Sequence, residues 1–201
     1  MKIKKILTPF LGLGLTLALT LPALAAESAP DAEMQANMAK MQAAATPGAG
    51  HEILKDLEGQ WTVTSRSWMK PGDKPKVSQG SSAMSWILDG RFLKQEYQGN
   101  WAGQSFNGLG YLGYDNVKKA YVSVWMDSMS TGIAQSTGQY DPASKTITDR
   151  MTFSCPIQQK EISARAEWKF LTKDKFTYTM YMQGPDGKEF KSMALSYQRA
   201  K

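Results

Sequence analysis

The chain has 201 residues and a formal net charge of +6, from 24 Lys and Arg against 18 Asp and Glu. Lys2, Lys4 and Lys5 lie in the first 25 residues, which hold no acid, so the remainder carries only +3, with 21 basic residues against 18 acidic ones. That balance argues against nucleic acid as a partner. One Cys and one His cannot supply the three or four strong ligands of a zinc site.

Residues 1–25 read as an export signal. A charged start is followed by a mostly apolar run from Ile6 to Leu21 and by the small-residue cleavage site Ala23-Leu24-Ala25. Pro9, Gly12, Gly14 and Pro22 interrupt the run and no charged flank follows it, which disfavours a transmembrane segment. The expected product begins at Ala26 and is periplasmic or secreted, with no membrane span left after cleavage. Cys155 has no internal disulfide partner in such a compartment and is expected to be a packed or partly exposed thiol.

Residues 26–50 form an Ala- and Met-rich, helix-prone arm ending in the linker Pro47-Gly48-Ala49-Gly50. Met34, Met38 and Met41 recur at i, i+4 and i+7, so on a helix their thioethers share one face. This spacing suits an apolar stripe better than a soft-metal site. The domain proper is expected over 51–201. It opens on "HEILKDLEG", where Ile53, Leu54 and Leu57 share a helical face and Gly59 stops a helix of about two turns.

After Gly59 the period changes to two. The clearest run is 161–170, where Ile162, Ala164, Ala166, Trp168 and Phe170 alternate with polar or charged residues. Comparable runs lie at 60–68, 77–88, 91–98, 104–114, 119–127, 133–140, 146–154, 175–182 and 189–199. Turns are expected at Pro71-Gly72, Asp89-Gly90, Asp115-Asn116, Asp141-Pro142 and Gly184-Pro185-Asp186-Gly187. Ten consecutive strands without an intervening helix predict an all-β fold, a roughly ten-stranded antiparallel up-and-down barrel with a short N-terminal helix, because closure leaves no exposed edge.

The stretch "GLGYLG" at 108–113 matches the letter pattern of a dinucleotide fingerprint. The pattern needs an apolar strand before it and a helix after it. Here a polar "NWAGQSFN" precedes it, and the Asp115-Asn116 turn and a β-branched, aromatic run follow. The glycines are therefore expected to bend a strand, with no nucleotide or other cofactor.

Several blocks in order carry a resemblance: "H..L..L.G.W" from His51 to Trp61, Trp68, Pro71-Gly72, "DGRFL" at 89–93, "GYD" at 113–115, "WMDSM" at 125–129 and "GPDGKEFK" at 184–191. Spanning His51 to Arg199, they resemble the bacterial family known as domain of unknown function 1579. The resemblance implies a lipocalin-like barrel and brings no activity or catalytic residues. Gly59-Gln60-Trp61 is also similar to the G-x-W of lipocalins, in which a basic residue near the end of the last strand covers the tryptophan. Arg199 is the matching residue, so Trp61 and Arg199 are expected to close one end.

The run 120–127 has an aliphatic parity and a mixed one, Tyr121, Ser123, Trp125 and Asp127, as a wall facing a mostly apolar guest would. Arg91, Tyr97 and Tyr181 are further candidates for polar lining, and Asp127 could equally cap the turn that follows it. The leading expectation is an exported barrel that binds a small apolar or amphipathic molecule. The alternatives are an enzyme using a lumen carboxylate such as Asp127, and a structural or protein-interaction barrel with a filled lumen. No spacing isolates a catalytic pair, His51 lies outside the strands, and oligomeric state is left open.

Overall fold

A computed structural model of the chain describes residues 31–101 and 103–201. The expected leader, 1–25, lies outside the described residues. Ten strands follow in chain order: β1 (Gly59–Ser67), β2 (Lys76–Ile87), β3 (Phe92–Trp101), β4 (Gln104–Asp115), β5 (Ala120–Asp127), β6 (Ala134–Asp141), β7 (Thr146–Cys155), β8 (Lys160–Thr172), β9 (Lys175–Gln183) and β10 (Glu189–Arg199). Each pairs antiparallel with the next, and β1 pairs with both β2 and β10. Trp61 thus stands opposite Ser82 on one side and Arg199 on the other. The expected closed up-and-down barrel is the fold, and its strands begin and end within three residues of the runs read from alternation.

The alternation that forms the strands also sorts the two faces. Trp61 and Val63 on β1, Met84 on β2, Leu93 on β3, Ile147 on β7, Ala166 and Trp168 on β8, Phe176 and Tyr178 on β9 and Tyr197 on β10 are all buried and form one core. Rings fill the lower half of the barrel. Phe176 stacks on Tyr197 at 4.1 Å between centroids and meets Trp61 edge-on at 4.8 Å, while Trp168 meets Tyr178 edge-on at 4.8 Å. Offset and edge-to-face pairs of this kind add to the burial of the rings themselves.

Before β1 lie α1 (Ala32–Ala45), the single turn α2 (Ala49–Glu52) and a 3-10 turn, Lys55–Leu57. The expected two-turn helix at 51–58 is thus broken, and it starts earlier. Its apolar residues do a different job from lining one face. Leu54 and Leu57 are wholly buried as a plug under the barrel, and Trp61 Nε1 donates to the Leu57 carbonyl at 2.8 Å. His51 is buried in α2, where its Nδ1 accepts the Gly48 amide at 3.1 Å and its ring meets Tyr114 edge-on. Burial, with the Arg91 charge as a smaller cause, lowers its pKa.

Asp31 caps α1 by accepting the Met34 amide at 2.7 Å, and every residue of the helix is exposed. The thioethers of Met34, Met38 and Met41 are therefore not buried against the barrel. The arm is held instead at its end, where the Asn116 side-chain amide donates to the carbonyls of Ala44 at 3.0 Å and Thr46 at 2.8 Å. Cys155 is buried, as a free thiol near the end of β7. No helix among the described residues is long and apolar enough to cross a membrane.

Candidate ligand cavity

Because α2, the 3-10 turn and the aromatic stack fill one end, the space left in the lumen lies toward the other. It is a cavity of about 220 Å³. Its wall is mostly apolar: Met84 from β2, Leu93 from β3, Trp125 from β5, Met151 and Phe153 from β7, Met180 from β9 and Met193 and Leu195 from β10. It reaches Ser130 and Gly132 in the β5–β6 turn. Four methionines in one small wall make it adaptable, since an unbranched thioether repacks at little cost.

Apolar side chains predominate in this wall, and several of its polar groups are already committed. Gln95 Nε2 donates to Ser82 Oγ and to the Tyr197 hydroxyl, both at 3.2 Å. On β5 the Trp125 indole N–H donates to Asp127 Oδ2 at 3.0 Å, while Asp127 Oδ1 accepts the Met129 amide at 2.9 Å. Asp127 thus borders the cavity and caps the turn that follows it, with both oxygens engaged.

Asp149 is different. It stands on β7 between Ile147 and Met151 on the inner face, opposite Gly138 of β6 and Ala166 of β8, and only 5% of it is exposed. Room for it comes from Gly138, where a Cβ would come within 2.5 Å of the Asp149 Cβ. Ser136 Oγ donates to Asp149 Oδ2 at 3.1 Å, and with that proton committed the Ser123 hydroxyl, 2.8 Å from Ser136, donates to Ser136 in turn. Asp149 Oδ1 has no hydrogen-bond partner. Burial pushes the carboxyl up to about 6, opposed by the hydrogen bond from Ser136 and by the Trp168 side chain, a weaker donor that makes no bond of ordinary length to it. Burial, and after it the Asp149 charge, also raises the pKa of the Tyr178 phenol.

With this geometry in place, comparison with known proteins fixes the family. The family model described as "Protein of unknown function (DUF1579)" matches residues 46–199. The chain belongs to this family. No curated protein matches its sequence. Among solved structures, Rv2717c from M. tuberculosis is 15% identical with a TM-score of 0.58, over 78% of this chain and 100% of that one. The S-type phycobiliprotein lyase CPES from Guillardia theta is 13% identical with a TM-score of 0.50, over 77% and 99%. At such identities the likeness is one of fold.

In this DUF1579 barrel the residues singled out in the sequence fall at four places. Trp125 and Asp127 border the cavity. Tyr97 turns inward beneath Gly80 and Gly99, edge-on to Phe106, and does not reach the cavity. Tyr121 and Arg91 sit at the plugged end. The Tyr121 hydroxyl donates to the Gly50 carbonyl at 3.1 Å, and burial pushes its pKa up to about 12. Arg91 Nη1 donates to the Leu88 carbonyl at 2.9 Å within its own turn. Tyr181 stands on the outer face under the Arg165 guanidinium, 4.0 Å from its ring centre, in a broad cleft of about 940 Å³ across the rim.

Arg199 lies 4.3 Å over the Trp61 ring and donates to Asp174 and to the carbonyls of Asp56, Glu58 and Lys173. It ties β10 to the plug and to the β8–β9 turn. The residues that the sequence reading passed over are Asp149, Ser136 and Gln95. The signal for Asp149 was present, since 146–154 alternates Ile147, Asp149, Met151 and Phe153, an acid inside an apolar parity.

Proposed function

We propose that this DUF1579 barrel holds a small, largely apolar molecule in its lumen. One observation carries the reading: the interior is not packed solid, and the unfilled part is walled mainly by thioethers, aliphatic side chains and rings, with polar groups set among them. At about 220 Å³ the space falls below the ~300–1,000 Å³ of pockets for drug-sized ligands. It exceeds the ~150 Å³ apolar cavity that accepts benzene. The guest is therefore a single-ring or short-chain molecule, and a tetrapyrrole or a long lipid does not fit without expansion of the wall.

Thermal unfolding with and without toluene tests the reading, alongside native mass spectrometry of the protein purified from its own cells. Toluene raises the melting temperature of the wild type and leaves that of a Leu195→Trp variant, whose indole fills the lumen, unchanged. No shift in the wild type, together with a bare polypeptide mass, defeats the reading. We also propose that residues 1–25 direct export, on the charge, apolar run and small-residue site that they carry.

A further inference from the structure

Resting on the lumen-binding reading, we infer that the guest is an amine: a compact apolar body whose protonated nitrogen pairs with the Asp149 carboxylate. Asp149 is a residue 95% buried that borders an unfilled cavity, and its carboxyl, with Oδ1 unpartnered, lacks a counter-charge within the fold. A buried carboxylate is costly unless paired. Among the described residues that border the cavity none is Lys, Arg or His.

The groups that face Asp149 supply no cation either. From β6 come Ser136 and Gly138, from β8 Ala166 and Trp168, from β9 Tyr178, and Tyr197 of β10 borders the same space. Ser136 serves the other carboxylate oxygen, and the Gln95 amide is spent on Ser82 and Tyr197. A carboxylic acid would meet two carboxylates, Asp127 and Asp149, and no positive charge, whereas an ammonium supplies the missing charge and a stronger donor than the Trp168 side chain.

The choice among guests is read by titrating the purified protein with benzylamine, benzyl alcohol and toluene at pH 7.5 and pH 5, in the wild type and in Asp149→Asn. Benzylamine stays protonated over this range, so any pH effect belongs to the protein. In the wild type at pH 7.5 benzylamine binds about tenfold tighter than toluene. At pH 5 it binds about tenfold more weakly, because Asp149 takes up a proton near pH 6. In Asp149→Asn the preference for benzylamine disappears while toluene binding persists, which also shows that the variant is folded.

Equal affinity for benzyl alcohol and benzylamine, or an amine preference that survives in Asp149→Asn or does not change with pH, overturns the inference while leaving a lumen site for apolar guests. If none of the three binds, the lumen-binding reading itself falls, and this inference with it.

Discussion

The Trp125 indole lies against Gly108 on the inner face of β4, where a Cβ would overlap ring atom Cζ2. Gly110, directly opposite Trp125 in the β4–β5 ladder, would bring a Cβ to 2.9 Å from the same indole. Two glycines of "GLGYLG" thus make the bed on which a cavity wall rests, and Asp127, opposite Gly108, fixes the ring by accepting its N–H.

Gly108→Ala is accordingly expected to displace the indole and to destabilise the protein by about 1–3 kcal/mol, the range for overpacking a close-packed site. Urea unfolding measures this. Gly48→Ala, where nothing lies within 4 Å, serves as the control and stays within about 0.5 kcal/mol.

Removing Arg199 uncovers Trp61 and leaves three carbonyls and Asp174 without their donor. The guanidinium is partly exposed, so water replaces some of these bonds. Arg199→Ala should cost about 2–3 kcal/mol in denaturant unfolding. Arg199→Lys keeps the charge but cannot span four acceptors, so it should recover less than half of that loss.

Asp149 makes stability fall as pH rises, the reverse of a paired carboxylate. Its carboxyl titrates near 6 when folded against 3.8 as its ordinary value, so the folded chain holds the proton more tightly. The neutral form is present in both states below about pH 4, and the burial penalty grows from there to above pH 6. Asp149→Asn should therefore match the wild type near pH 4 and exceed it by on the order of 2–3 kcal/mol at pH 8. Taking the difference between the two proteins at each pH removes the opposite contributions of Asp115 and Asp141, whose carboxyls backbone and side-chain hydrogen bonds hold low.

Expression with the leader intact is expected to yield a product that starts at Ala26 and is found outside the cytoplasm. N-terminal sequencing and cell fractionation read both, and a cytoplasmic product retaining residues 1–25 refutes the assignment.

How far this protein could be read from its sequence depends on the range of the interaction concerned. The ten strands were legible because alternation is local: a pleated strand sends successive side chains to opposite faces, so Ala164, Ala166 and Trp168 declare themselves without knowing their partners. The break in the helix after α2 was not legible, since it follows from the plug that Leu54 and Leu57 form and the carbonyl that Trp61 takes. Parity likewise grouped Tyr121 and Trp125 on one face of β5, whereas of the further lining candidates Tyr97 turns inward and Tyr181 stands on the outer face. It could not say how far along the barrel each would lie.

By itself the sequence determined the antiparallel all-β architecture, the order of its strands and the inner and outer face of each, because these follow from residue-to-residue periodicity and turn chemistry. Tertiary structure alone decided where the lumen is full and where it is open, and which polar atoms there keep a free valence. Asp127 and Asp149 are both acids facing inward on neighbouring parts of one sheet, and only the packing around them tells them apart. Trp125 and Met129 occupy the first at both oxygens, while Gly138 and Ala166 leave the second buried with Oδ1 unmet.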